Sequence, residues 1–225
     1  MKPATFALAG LGLLAAFAVV AHQQATAAND AAAADEAAPV ADSAWNSFDL
    51  WGMTSASIQG RQLMNVVQNP NAIAFLDMLA HAEGTDRADD EYRVCYAYRY
   101  TIKSLSDHPA ITGEWQGESI ANLGPQYAGK VSTAAGRYQI IRKTWSGCKQ
   151  ALGLADFSPA SQDMAALYLI KSRGALDAVI AGDVEAAIFK CRSEWASLPG
   201  GGSGQPQRKL AELLDAYTQN GGKLA

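Results

Sequence analysis

Apolar residues recur at helical spacing soon after Pro70 and define the first regular element of the chain. The residues that share one face of this element, at offsets of 3, 7 and 10 from the first, are Ile73, Leu76, Ala80 and Glu83. Asn71 is a candidate N-cap, and Gly84 is typical of a helix end. The pattern therefore predicts a helix that carries Glu83 in its last turn, on the apolar face.

A stretch of alternating residues follows between Tyr92 and Lys103. Its aromatic and aliphatic residues share one parity, at Tyr92, Val94, Tyr96, Tyr98, Tyr100 and Ile102. A period of two with many aromatic residues predicts a strand or a hairpin. The glycines and prolines between 109 and 129 predict a loop after it.

The remainder of the chain has helical periodicity interrupted by residues that end helices. Helices are predicted at about 137–151, 159–172, 175–181, 183–195 and 206–219. Ser158 is a typical N-cap with Pro159 in the first helical position, and Asp183 is a cap for a later helix. The predicted fold class is mainly α (α+β): two lobes, a small antiparallel sheet, and a cleft between the lobes.

The first residues have the layout of an export signal rather than of a folded domain. Residues 1–27 combine a basic start, an uncharged apolar run over 6–21 and the small residues Ala25-Thr26-Ala27. This pattern predicts a signal peptide cleaved after Ala27, and therefore a protein of the periplasm or the medium. The alternative is an uncleaved, weak membrane anchor that associates transiently with the inner membrane.

Two further segments separate this signal from the globular part. Residues 28–44 are Ala-rich, acidic and free of aromatic residues, which predicts a flexible tether. Residues 45–70 contain several large apolar side chains and form an extension whose structure the pattern leaves ambiguous. The predicted domain occupies 71–225.

Composition and charge narrow the classes of partner. Hydrophobic residues make up 49% of the chain, which is enough for a core, and the net charge is -4 without a dense stripe of Lys and Arg. Nucleic acid is therefore not an expected partner. Cys95, Cys148 and Cys191 lack C-x-x-C spacing, so no metal site is expected; two of them can pair, or all can be buried. No cofactor is expected, and the chain is expected to be a monomer.

Glu83 is the carboxylate whose predicted position suits acid catalysis. An apolar face and a helix C-terminus both disfavour the ionised form, which would let the carboxyl keep its proton at neutral pH. The alternative is a surface glutamate that ends the helix without a catalytic role. Ordinary glycosidases need a second carboxylate. The candidates, none distinguished by spacing, are Asp86, Asp89, Asp90, Glu91, Asp107, Glu114 and Glu118. No H-E-x-x-H, G-x-S-x-G or Walker A pattern offers another chemistry.

Six blocks of the sequence, in order, resemble the bacteriophage lambda endolysin family. They are Ala74–Asp86, Ser106–Pro109, Ala135–Gln139, Leu152–Pro159, Lys171–Leu176 and Trp195–Gly200. The similarity covers about 71–222, the whole predicted domain. It implies a lysozyme-like fold that binds the glycan strands of peptidoglycan and cleaves the β-1,4 bond between N-acetylmuramic acid and N-acetylglucosamine. It further implies a 1,6-anhydromuramic product, with Glu83 as the single catalytic acid and then base.

The resemblance also suggests residues that bind substrate. Gln139 and Tyr138 match the motif of the family and are expected to contact the sugars, although their spacing also suits core packing. Trp195 and Ser197 either form a wall of the cleft or pack against the last helix. Tyr96, in the tyrosine-rich segment, suits stacking on sugars, with strand packing as its alternative. Two other functions stay open: a hydrolytic lysozyme on the same scaffold, and a wall-binding protein without catalysis.

Overall fold

The computed structural model describes residues 55–200 and 207–225. The predicted signal or anchor at 1–27, the tether at 28–44 and the first part of the extension at 45–70 lie outside these residues. Within the described part, no helix is both long enough and apolar enough to cross a membrane.

Helices dominate the described chain. In chain order they are α1 (Ser55–Val66), α2 (Pro70–Glu83), α3 (Pro109–Thr112), α4 (Arg142–Leu152), α5 (Pro159–Ser172), α6 (Leu176–Ala181), α7 (Val184–Cys191) and α8 (Leu210–Gln219). Two short strands, β1 (Glu118–Ser119) and β2 (Val131–Ser132), pair antiparallel, with Glu118 opposite Ser132. The mainly α fold with one small antiparallel sheet is as predicted.

Helix α2 is the central element of the fold. It packs against α6 and α8, and its buried residues include Phe75, Met78 and Leu79. The main core surrounds this helix, while a smaller cluster lies under the sheet and contains Tyr96 and Ile120. The two clusters correspond to a larger and a smaller part of the fold. Helix α2 ends at Glu83, close to the smaller part, because Tyr98, which follows Ala97 of the smaller cluster, donates a hydrogen bond to Gly84.

The ends of α2 show how the sequence sets the position of Glu83. The N-cap is Asn69, whose side chain accepts from the backbone N–H groups of Asn71 and Ala72 at 2.9 and 3.2 Å. The prediction of Asn71 as the cap was wrong by two residues, because Pro70 occupies the first helical position, where its missing N–H costs nothing. The predicted end is confirmed: Gly84 adopts the left-handed conformation with φ 75°.

The predicted strand at 92–103 was wrong. Short 3₁₀ turns at Glu91–Arg93 and Tyr96–Tyr98 replace it, and only isolated bridges such as Val94 to Thr101 remain of a ladder. The cause is a tight reversal at Ala97 and Tyr98, which have φ of 53° and 57°. The paired strands lie elsewhere, one within the predicted loop and one just after it. Gly117 is required before the first strand, since a Cβ there would lie 2.4 Å from the carbonyl oxygen of Ser132.

The predicted helix at 137–151 begins five residues late, at Arg142. The preceding residues form a tight turn closed by reciprocal backbone bonds between Ala135 and Ile140, in which Gln139 has φ 49°. The predicted helices at 183–195 and 206–219 are also shorter, ending at Cys191 and starting at Leu210. The helix at 159–172 is confirmed, with Ser158 as its N-cap.

Candidate active site

The side chain of Glu83 is buried, with 1% of its surface exposed. Its Oε1 accepts a hydrogen bond of 2.8 Å from Ser197 Oγ, while its Oε2 has no hydrogen-bond partner among the described residues. Burial raises the pKa of Glu83 to about 8, against the lowering effects of the Ser197 hydrogen bond and the charge of Arg208. The carboxyl is therefore protonated at neutral pH and is able to act as a general acid.

Ser197 reaches Glu83 from the segment that follows α7. Trp195 anchors this segment: its ring is fully buried, and its Nε1 donates to the carbonyl of Tyr138 at 3.2 Å. The carbonyl of Ser197 accepts from the backbone N–H of Arg208 at 2.9 Å. The backbone on which the Ser197 hydroxyl stands is thus held at Trp195 and at Ser197 itself, and this positions the hydroxyl for its bond to Glu83.

The residues directly after Glu83 are tied to two other segments. The hydroxyl of Tyr98 donates to the carbonyl of Gly84. The hydroxyl of Thr85 donates to the carbonyl of Arg137 at 2.7 Å. The end of α2 is therefore fastened both to the reversal at 97–98 and to the turn at 135–140.

The motif residue Tyr138 is fully buried in a polar network. Its hydroxyl donates to Asp163 at 2.7 Å, and the guanidinium of Arg137 donates to the same hydroxyl at 3.0 Å. Arg137 also forms ion pairs with Asp77 and Glu91 at 2.5 and 2.8 Å. The sequence did not predict that Asp77, Glu91 and Asp163 meet in this network, because they come from distant segments and no spacing relates them.

The other predicted substrate contacts also lie inside the protein. Gln139 is 2% exposed and donates from Nε2 to the carbonyls of Gly136 and Val94 at 2.9 and 3.2 Å. Tyr96 is fully buried. Of the predicted set, the structure brings Ser197 into contact with Glu83; substrate contact by Gln139, Tyr138, Trp195, Ser197 and Tyr96 stays a prediction.

Tyr98 is the exposed aromatic residue of this region, with 45% of its surface accessible. It borders a cavity of about 360 Å³, which Tyr100, Arg87 and Asp89 also line. The alternating pattern had placed Tyr98 on the same parity as Tyr96. The positive φ at Ala97 and Tyr98 turns the chain, so that Tyr96 is buried and Tyr98 is exposed. The sequence gives no sign of this turn, because neither residue is glycine.

Three of the candidate second carboxylates are held by other partners. Asp107 accepts from Trp145 Nε1 and Lys149 Nζ at 2.8 and 2.7 Å; although burial raises its pKa, these bonds outweigh that effect and lower it. Glu114 accepts from the backbone of Ser104 at 3.1 Å, and Asp86 pairs with a histidine. Across 55–200 and 207–225, no carboxylate hydrogen-bonds to Glu83 or is among the groups that shift its pKa.

A second cavity, of about 710 Å³, lies on another side of α2. Asp77 and His81, one helical turn apart on α2, line it together with Glu212 of α8. Glu83 follows His81 by two residues and so projects about 200° away from it around the helix. This cavity is therefore separate from the chemistry of Glu83.

The described part of the chain contains neither a cluster of metal-ligating side chains nor an exposed cysteine. Its His, Cys, Asp and Glu side chains form no group of three or more suited to a metal ion. Cys95, Cys148 and Cys191 are free and buried, and burial raises the pKa of each thiol to about 12. These cysteines are inert apolar packing residues in this structure.

The mainly α fold with one small sheet, and the buried glutamate at the end of its central helix, agree with a lysozyme-like enzyme. The family model described as Endolysin matches residues 73–224. The chain therefore belongs to the endolysin family.

The relatives share most of their length with this chain. The endolysin of Escherichia phage P2 is 41% identical over 156 residues, covering 68% of this chain and 93% of the relative. The endolysin of Escherichia phage lambda is 41% identical over 154 residues, covering 66% and 90%. The solved structure of bacteriophage lambda lysozyme complexed with a chitohexasaccharide matches with a TM-score of 0.61 and 39% identity, over 70% of this chain and 97% of that one.

Proposed function

We propose that this enzyme is a lytic transglycosylase. It cleaves the β-1,4 bond between N-acetylmuramic acid and N-acetylglucosamine in peptidoglycan and leaves 1,6-anhydromuramic ends. The observation that carries the proposal is the state of Glu83: a buried carboxyl with a pKa of about 8, bonded to one serine hydroxyl, with no carboxylate of the described chain among the groups that shift its pKa.

The proposed reaction needs one residue to donate and then accept a proton. Protonated Glu83 gives its proton to the glycosidic oxygen as the bond to C1 of the muramic residue breaks, and the N-acetylglucosamine side leaves as an alcohol. The acetamido oxygen of the muramic residue stabilises the positive charge at C1. The C6 hydroxyl then bonds to C1 and returns its proton to Glu83, so no water is consumed. Because this hydroxyl is already part of the substrate, its attack has the advantage of an intramolecular reaction.

The hydrogen bonds that three of the candidate acids make to other groups favour this route over hydrolysis. A retaining or inverting hydrolase has two carboxyl groups facing each other across the bond, about 5–10 Å apart. Asp107 and Glu114 instead hold their own structural hydrogen bonds, and Asp86 pairs with His81 at 2.7 Å. Each would have to give up its partner to serve as a nucleophile or a base.

The similarity to bacteriophage lambda lysozyme supports a glycan substrate. That protein was solved with a chitohexasaccharide, an oligomer of β-1,4-linked amino sugars. By analogy, we place the sugars of this enzyme near the end of α2, against Ser197 and the exposed ring of Tyr98. Aromatic rings at such positions stack on the apolar faces of sugars.

Analysis of the digestion products by mass spectrometry tests the proposal. Purified peptidoglycan is treated with the full chain, with Glu83→Gln, and with Glu185→Gln as a matched control on the exposed face of α7. We expect the wild type and Glu185→Gln to release fragments that are lighter by one water than hydrolysis products, and Glu83→Gln to release none. Fragments with reducing muramic ends from the wild type would identify a hydrolytic lysozyme and contradict the proposal.

The location of the enzyme is a separate proposal. The signal-like pattern at 1–27 supports export to the periplasm, where peptidoglycan is accessible. The N-terminal sequence of the protein recovered from the periplasm tests it. A start at Ala28 supports cleavage, and recovery of the intact chain from the membrane supports the anchor.

A further inference from the structure

Arg208 lies just before α8, and its side chain crosses to the C-terminal end of the catalytic helix. Its Nε donates to the carbonyl of Ala82 and its Nη2 to the carbonyl of His81, both at 3.2 Å. The side chain is 12% exposed. The last carbonyls of a helix lack partners within the helix. A guanidinium therefore caps the turn that carries Glu83.

The backbone of Arg208 holds the other partner of the site. Its N–H donates to the carbonyl of Ser197 at 2.9 Å, and Ser197 Oγ donates to Glu83 Oε1 at 2.8 Å. The side chain and the main chain of one residue thus fix the helix end that bears the acid and the hydroxyl that orients it. Loss of the side chain would remove one of the ties that hold the helix end, beside those made by Tyr98 and Thr85.

The guanidinium is itself held in place by charged neighbours. Its Nη1 donates to Glu212 Oε1 at 3.0 Å, and the same oxygen lies 3.0 Å from His81 Nε2. The other ring nitrogen of His81 lies 2.7 Å from Asp86. The titratable groups that face Arg208 are therefore His81 and Glu83 on α2, Asp86 and Tyr98 on the following turns, and Glu212 on α8.

We propose that Arg208 is a positioning residue for the reaction, because it holds the last turn of α2 and Ser197 in the arrangement from which Glu83 donates and recovers its proton. The inference rests on the proposed function, in which one carboxyl performs both steps. A residue that acts first as acid and then as base must be protonated when the substrate binds, and it must still be able to release that proton to the glycosidic oxygen.

The electrostatics of the site agree with this role. Burial and the negative end of the helix dipole both favour the neutral carboxyl. Burial raises the pKa of Glu83, and the positive charge of Arg208 is the charge that opposes this rise. Without that charge, Glu83 would hold its proton more tightly and would be a poorer acid.

Two variants and one control separate positioning from stability. Arg208→Gln removes the charge and most of the cap, whereas Arg208→Lys keeps the charge but loses the forked set of donors. Lys149→Gln is the control, because it breaks the ion pair with Asp107 and leaves the neighbours of Glu83 intact. The titration of Glu83 is followed by NMR on protein labelled at the glutamate carboxyl carbons, with Glu83→Gln used to assign the signal. Activity is measured as kcat and KM across pH.

For Arg208→Gln we expect the midpoint of the Glu83 titration to rise by about one pH unit. We expect kcat to fall roughly 10- to 100-fold with KM changed less than about threefold, because the lost interaction orients the acid rather than the sugars. Arg208→Lys should keep the wild-type midpoint and recover part of kcat. Lys149→Gln should lower thermal stability without changing the midpoint or kcat.

An unchanged midpoint and an unchanged kcat in folded Arg208→Gln would overturn the proposal. If Arg208→Gln does not fold, Arg208→Lys decides: a wild-type midpoint with lowered kcat supports positioning, and wild-type values of both contradict it. The NMR titration does not depend on the product. Hydrolytic products, together with a shifted midpoint and a lowered kcat in Arg208→Gln, would refute the transglycosylase while the role of Arg208 stands. Anhydro products, together with an unchanged midpoint and an unchanged kcat in Arg208→Gln, would do the reverse.

Discussion

Replacement of Glu83 by glutamine is predicted to stabilise the protein, increasingly so as the pH rises. Glutamine has nearly the shape of glutamate, keeps an oxygen for the Ser197 hydroxyl, and never ionises. The wild-type carboxyl must either stay protonated or carry a buried charge. The proposed catalytic role of Glu83 therefore implies a cost in stability, as at other sites that trade stability for activity.

The magnitude follows from the pKa of Glu83, which burial raises from 4.5 to about 8. Since the folded pKa lies above the unfolded one, the unfolded chain loses this proton first as the pH rises. The wild type is therefore fully stabilised below about pH 4.5 and loses stability until about pH 8. At about 1.36 kcal/mol per pH unit, the loss is about 3 kcal/mol at pH 7 and roughly 5 kcal/mol above pH 8, relative to glutamine.

Urea unfolding followed by tryptophan fluorescence measures this difference between pH 4 and pH 9. The buried amide of glutamine can add a cost to the free energy of unfolding that does not depend on pH. This cost is measured at pH 4 and subtracted from the differences at higher pH. Glu185→Gln, at an exposed position of α7, is the matched control and should show little dependence on pH. A difference between wild type and Glu83→Gln that stays flat across this range would refute the reasoning, because it would mean that Glu83 is ionised normally in the folded protein.

Three further predictions concern activity and the support of the site. The kcat/KM of the wild type should fall about tenfold per pH unit above pH 8, as Glu83 loses its proton, without an acidic limb from a second carboxylate between pH 4 and 7; such a limb would favour hydrolysis. Tyr98→Phe removes the hydroxyl that donates to Gly84 and should lower kcat about three- to tenfold while unfolding stability changes by less than about 1 kcal/mol; unaltered kcat in steady-state assays would exclude a role for this bond. Asp107→Ala leaves Lys149 without its partner and should lower the free energy of unfolding by about 2–4 kcal/mol in urea titrations, with kcat of the folded fraction unchanged; a loss of kcat at full folding would assign Asp107 to catalysis instead.

The position of the acid was predictable from local pattern. The apolar face at offsets of 3, 7 and 10 and the glycine at 84 placed Glu83 in the last turn of a helix, and burial to 1% followed from that face. Helix ends and caps are local features, so their signals survive in the sequence. The same holds for Ser158 and Pro159 at the start of α5.

The wrong predictions share a physical cause. The alternation at 92–103 does not correspond to burial on one side, because Cys95 and Ala97 are buried while Tyr98 is exposed. The positive φ at Ala97 and Tyr98 breaks the pattern, and no glycine marks it in the sequence. The turn at 135–140 was read as helix for the same reason, because Gln139 also adopts positive φ without being glycine. In both places tertiary contacts hold a conformation that local propensity does not favour.

The residues that surround Glu83 could be predicted from the sequence only in part. Ser197 was singled out through resemblance, but its bond to Glu83 joins residues 114 positions apart. Arg208 carried no signal at all, since a lone arginine before a helix is ordinarily a solvated charge. Contacts of this kind depend on how α2 and α8 pack, which periodicity does not specify.

Digestion of peptidoglycan in water enriched in ¹⁸O tests the central claim most directly. If Glu83 acts as the single acid and base, the C6 hydroxyl of the substrate closes the ring and no solvent oxygen enters the product. The predicted result is therefore anhydromuramic fragments of unchanged isotopic mass, which disappear with Glu83→Gln. Fragments that carry the heavy isotope at the new muramic end would show that water attacks C1, and would contradict the account.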